Sequence, residues 1–185
     1  MNAMRAGLAI VCLLVLEACA PQPLFQPSVM QDVDDHFDFA AWRATPTKGV
    51  GQKVQLGGRI VQAETTEDGV MIVAVQLPIV KSPAYGPTDP GKRPGAFGFA
   101  FLYPGKIESS ALELGNRFIV VGTTQAPKGV IVDGARVSQP FLVARCVHIW
   151  KTQGREISDF PSVGAGYEAL EENTYCAAVL EPAAR

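Results

Sequence analysis

From Lys53 onward the chain alternates. Val54, Leu56, Gly58 and Ile60 fall on one face, while Gln55, Gly57, Arg59 and Val61 fall on the other. A period of two is that of a strand with one buried face. The spacing recurs where Phe97, Phe99, Phe101 and Tyr103 alternate with Gly98, Ala100 and Leu102, which sets four aromatics on one side of a third strand. Between these two, residues 70–77 are apolar on both faces and Pro78 closes the run. Residues 117–124 read as a fourth strand, and residues 141–150 as the last, with Arg145 interrupting its apolar run at a predicted bulge. Asp133-Gly134, set between Val130-Ile131-Val132 and Ala135-Arg136-Val137, is a hairpin signal. A short helical stretch over 109–114 ends at Gly115. The 18 glycines and 14 prolines favour many short strands over long helices. The order strand–strand–strand–short helix–strand–strand predicts a mainly β fold, a small OB-like five-stranded β-barrel. Gly57-Gly58 stands where the first strand must bend. A β-sandwich is the alternative.

The start of the chain carries a different signal. Arg5, about ten apolar residues and a small residue before a break have the form of a secretory signal peptide. The run is shorter than the roughly 20 residues that span a bilayer. It ends in Leu16-Glu17-Ala18-Cys19, which resembles a bacterial lipobox. That resemblance implies cleavage between Ala18 and Cys19, acyl chains on Cys19, and removal of residues 1–18. Ala20 in place of Asp favours sorting to the outer membrane. Glu17 departs from the small residue usual at that position, so an ordinary cleaved signal peptide and a retained anchor stay as alternatives. Removing residues 1–18 takes away Arg5 and Glu17, which leaves the net charge at −2. Without a basic excess, composition favours neither nucleic acid nor a polybasic membrane patch.

Residues 19–47 read as a lipid-linked tether, rich in proline at Pro21, Pro23 and Pro27. The stretch of about 30 residues up to Val50 would reach about 100 Å if fully extended. Ser28 and Gln31 resemble a capping box, and Val29, Val33, Phe37 and Ala40 follow at helical spacing, predicting a short helix over 28–43. The barrel domain is placed at 48–151 and an irregular C-terminal extension at 152–185, with a short helix over 168–175. The 81–95 loop and this extension are long for a compact domain and are the predicted contact surfaces. Cysteine parity adds one expectation. Cys12 leaves with the leader and lipid consumes Cys19, so Cys146 and Cys176 remain as an even pair in an oxidising compartment, a candidate disulfide.

No residues form a catalytic set. The strings G-x-S-x-G, H-E-x-x-H and a Walker loop are absent. His36 lies within the acidic run from Asp32 to Asp38, which lacks the glycine and closing glutamate of a calcium loop and reads as a solvated helix face. His148, between Val147 and Ile149, reads as a structural hydrogen-bonding group. Gly164-Ala165-Gly166 has no strand before it and reads as turn glycines rather than a dinucleotide fingerprint. The aromatic stripe of the third strand suits a barrel core better than base stacking. No metal ligand set, cofactor or nucleic-acid partner is expected.

Four strings then stand in order: Val54-Gln55-Leu56-Gly57-Gly58-Arg59-Ile60, Val75-Gln76-Leu77-Pro78, Gly115-Asn116-Arg117-Phe118-Ile119-Val120-Val121-Gly122 and Val147-His148-Ile149-Trp150. Together, over about residues 39–151, they resemble the Slp family of outer-membrane lipoproteins. The resemblance implies a starvation-inducible-type lipoprotein on the periplasmic face of the outer membrane, held by the Cys19 acyl chains. It brings a protective or structural role and no catalytic residues. A non-catalytic component that binds or braces another envelope protein is the expected function. A small-ligand or lipid carrier and a cell-envelope hydrolase are the alternatives. The tail beyond Thr152 is longer than the family core requires.

Overall fold

The computed structural model describes residues 23–91, 98–160 and 169–178. Among these residues six strands carry the fold: β1 (Lys53–Thr66), β2 (Gly69–Leu77), β3 (Gly98–Tyr103), β4 (Arg117–Val132), β5 (Ala135–Trp150) and β6 (Glu172–Cys176). Their order is β3-β2-β1-β4-β5-β6, and β3 also pairs with β5, so hydrogen bonding runs round a ring of five strands. The closing pair is parallel and short, matching Ala100, Phe101 and Leu102 with Phe141, Leu142 and Val143, while the other ladders are antiparallel. The fold is mainly β, and its five-stranded ring has the expected OB-like order. A 3₁₀ turn, Ser109–Leu112, stands between β3 and β4 where a short helix was predicted.

The ring needs long strands that bend, and bulges supply the bends. The β1 ladder skips Val61, and the β5 ladder passes from Cys146 to Ala144, leaving out Arg145 at the predicted site. The predicted fourth strand and the Asp133-Gly134 hairpin prove continuous. β4 and β5 are 16 residues each, joined by a turn with positive φ at both Asp133 (50°) and Gly134 (79°), the geometry such a two-residue turn requires.

Two of the sequence boundaries are corrected. The helix expected over 28–43 is broken into α1 (Pro27–Met30) and α2 (Phe39–Ala44). The acidic residues between them serve the backbone. Asp34 N–H donates to the Lys53 carbonyl at 2.8 Å, which draws this stretch against β1. Asp38 Oδ1 caps α2 by accepting from the amides of Ala40 and Ala41 at 2.9 and 3.0 Å. The C-terminal extension is likewise not irregular throughout, since Glu172–Cys176 is a strand rather than part of a helix. Its partner is the half of β5 that β3 leaves unpaired.

The ring is filled by its own side chains. Phe99, Phe101 and Phe118 are fully buried, with ring centroids 5.1–6.2 Å apart. Trp42 of α2, also buried, joins this core through Phe39, whose ring lies 5.8 Å from both Trp42 and Phe99. The third-strand stripe is therefore interior, as expected, with Phe97 outside the described residues. On the outer face of β2 and β3, Val73 and Ala100 pack with Val130 and Phe141 of the long hairpin. The hairpin thus covers a face on which OB-folds commonly bind ligands.

Candidate functional site

The outer face of β4 and β5 is covered by several separate parts of the chain. Alternation turns Ile119 and Val121 outward from β4, and Cys146 and Trp150 outward from β5. A strand face this apolar needs a lid, and the N-terminal segment provides it. Phe25 (4 % exposed) and Val29 (8 %) pack into the same cluster, supported by Leu24, Met30 and Val33. Pro27 opens α1 at its first turn, where its missing N–H costs nothing. Residues 24–33 are thus docked, and only the part before them can act as the tether read over 19–47.

Two further pieces reach this face. Gly86 (φ 69°) leaves so little room that a Cβ there would lie 2.2 Å from Ile157 Cδ1 and 3.5 Å from Trp150. Arg117, 2 % exposed, donates from Nη1 to the Pro87 carbonyl at 2.9 Å and forms an ion pair through Nη2 with Glu156. One buried guanidinium therefore fastens the loop after β2 and the segment after β5 to the start of β4. The first part of the 81–95 loop is built into the domain and is more than a contact surface, since its removal would take the Pro87 carbonyl from buried Arg117 and leave Glu156 as the partner.

The tail completes the face. Cys146 and Cys176 are opposite each other in the β5–β6 ladder and joined by a disulfide, with sulfurs 2.01 Å apart across a separation of 30 residues. Beside it, His148 Nδ1 lies 2.6 Å from Thr174 Oγ1 and Nε2 lies 3.4 Å from Glu172 Oε2. Its ring packs edge-on to Trp150 at 4.3 Å. Burial pushes the imidazole below its ordinary value, and the Glu172 carboxylate opposes that shift. This geometry fits the structural role read for His148.

The acidic run near His36 does not form a helix face. His36 N–H donates to Asp34 Oδ1 at 2.9 Å within the turn between α1 and α2. Among the described residues no three His, Cys, Asp or Glu side chains are grouped to hold a metal. A cleft of about 430 Å³ runs between this turn and the β1–β2 side, with Asp34, Asp35, Gln55, Gln76 and Lys81 among its walls. Ala18, Cys19 and Gly164-Ala165-Gly166 lie outside the described residues.

The chain matches the outer membrane lipoprotein Slp family over residues 16–175. It belongs to that family. No curated protein and no solved structure matches it. The Slp match is longer than the 39–151 stretch whose wording carried the resemblance. At its start it takes in Leu16-Glu17-Ala18-Cys19, and at its end it runs through β6 to Tyr175. The tail up to that residue is therefore part of the Slp region and not an addition to it.

Sequence reasoning missed two contributors to this face. Leu24-Phe25 followed by Val29 was an apolar triplet inside a proline-rich stretch, and its hydrophobicity was the available signal. Thr174 and Tyr175 before Cys176 have strand-forming side chains, which parity alone did not convert into a strand. Phe25→Ala is expected to lower stability by about 2–3 kcal/mol, somewhat below the usual cost of a core phenylalanine because this site is an outer layer. Hydrogen exchange should rise selectively over residues 24–33. An unchanged exchange pattern would show that the segment is not held by Phe25.

Proposed function

We propose that this Slp-family protein is a non-catalytic envelope lipoprotein. Acyl chains on Cys19 hold it at the periplasmic face of the outer membrane, and its β domain braces or binds another envelope protein. The observation that carries the anchor is the extent of the family match, which begins at Leu16 and so includes the lipobox-like string and Cys19. Ala20 supports outer-membrane sorting. Two or three acyl chains exceed the single chain that gives only marginal membrane binding, so the attachment would be lasting.

The interior supports bracing over carriage. A five-stranded ring is normally filled by side chains, and here Phe99, Phe101, Phe118, Ile72 and Leu142 are fully buried within it. The missing nucleophile motifs and the structural roles of Asp34, Asp38 and His148 speak against the hydrolase reading.

Cys19→Ser should move the protein out of the membrane fraction or block its processing, and the wild-type mature terminus should carry acyl mass on Cys19. An unmodified terminus beyond Cys19 overturns the anchor and points to Glu17 as the reason. Purification from detergent-solubilised envelopes tests the second half. Recovery of one stoichiometric envelope protein supports bracing, and recovery of the protein alone with bound lipid turns the reading toward carriage.

A further inference from the structure

The docked N-terminal segment restricts how the domain can sit on a membrane. Only five residues separate Cys19 from Phe25. Six extended steps cover about 20 Å at most. A domain of this size has a radius of gyration near 15 Å, so the tether cannot reach round to the far side. Phe25 is fixed on the outer face of β4 and β5 by Ile119, Val121 and Trp150. Whatever carries the acyl chains must therefore lie against that side of the domain.

We infer that the loop following β2 rests on the lipid leaflet that holds the Cys19 acyl chains, with Val80 and Tyr85 as its contact residues. This inference depends on the anchored-lipoprotein reading above. Val80 and Tyr85 are 63 % and 60 % exposed, although the loop between them is anchored on both sides. Ile79, next to Val80, packs in the same cluster as Leu24 and Phe25. Gly86, next to Tyr85, is pressed against Trp150 and Ile157 of that cluster. The two exposed side chains are thus projected from the neighbourhood in which the tether ends.

Their chemistry suits the headgroup boundary. Tyr85 combines an apolar ring with a hydroxyl, as aromatic residues at membrane interfaces do. Lys81, exposed beside Val80, can lay its stem along acyl chains while its ammonium meets phosphate. Asp34 and Asp35 line the cleft with Lys81 and Pro83, and Asp89 of the same loop accepts from the Gly91 amide at 2.9 Å. Of the other exposed large apolar residues, Val50, Val61, Leu114, Ile131 and Val137, the last two sit near the hairpin tip and serve as distant reference positions. Ile131 is about 30 Å further along β4 than Val121, at about 3.3 Å per residue.

The test uses the lipidated full chain, reconstituted in vesicles of phosphatidylethanolamine and phosphatidylglycerol doped with nitroxide-labelled lipid. Val80→Cys, Tyr85→Cys, Ile131→Cys and Val137→Cys each carry an environment-sensitive fluorophore at an exposed position. Quenching at 80 and 85 is expected to exceed that at 131 and 137 by about twofold or more, as for side chains held at the headgroup boundary. Acylation and vesicle flotation are read first. An unacylated terminus overturns both the anchor and this orientation. An acylated, floating protein with equal quenching at all four sites, or more at 131, overturns the orientation alone. Inserting about 20 Gly/Ser residues between Cys19 and Phe25 loosens the tether and should lower quenching at 80 and 85 toward the hairpin values. Unchanged quenching in that variant would overturn the tether as the cause.

Discussion

Gly58→Val is expected to lose at least about 3 kcal/mol of stability, at the upper end of what overpacking a core costs. A Cβ at position 58 would lie 2.6 Å from Phe118 Cζ and 2.8 Å from the Val75 carbonyl oxygen. Neither neighbour can withdraw cheaply. Gly58 faces Phe118 directly across the β1–β4 ladder, and that ring is wedged between Phe99 and Phe101. The Val75 carbonyl belongs to the backbone of β2, paired on one side with β1 and on the other with β3. Gln55→Val, three residues earlier on the half-buried outer side, should change stability by less than about 0.5 kcal/mol. At about 2–4 °C per kcal/mol for a domain of this size, thermal melts should separate the two variants by at least about 5 °C. Equal melting temperatures would mean that the ring does not close around Phe118 as described.

Removing the disulfide should have an effect of similar size. Cys146→Ala combined with Cys176→Ser is expected to cost about 3–4 kcal/mol, the chain-entropy value for a closed loop of about 30 residues. The loss should be local in its signature. β6 is short, its side chains are mostly exposed, and among the described residues β5 is its only neighbour in the sheet, so its amides should lose protection before those of the ring. Reducing agent added to the wild-type protein should reproduce both changes. Quantitative alkylation of both thiols in fresh envelopes without reductant, together with a melting temperature that reductant leaves unchanged, would show that the bond does not form in the cell.

Most of the ring was legible in the sequence because strands with one buried face declare themselves by alternation. The Phe99, Phe101 and Tyr103 side, the Asp133-Gly134 turn and the Arg145 bulge each rest on local pattern, and each stands where the pattern put it. Docking was not legible. Whether Phe25 lies free or buried depends on an apolar strand face about 100 residues away, and proline-rich sequence around it reads as extended whether or not it is packed. The same holds for β6, whose five residues are too few for a period to show and whose partner edge exists only because β3 stops short. The burial of Arg117 was not legible either. A charge within Asn116-Arg117-Phe118 suggests a strand end near water, yet the side chain is buried because Glu156 and the Pro87 carbonyl arrive from distant parts of the chain.

The short parallel contact between β3 and β5 has a consequence for self-association. Because it matches only three residues of β5, the backbone of Cys146–Trp150 would otherwise end the sheet as an open edge. That stretch holds Val147, Ile149 and Trp150, a composition that invites a second chain to add itself as a strand. β6 occupies the edge instead and turns outward a row that includes Glu172, Asn173 and Thr174, all exposed. β6 follows β5 in the chain, so a newly exported chain carries the open edge until β6 arrives. The disulfide then keeps that edge closed on a membrane where neighbouring copies would be concentrated in two dimensions.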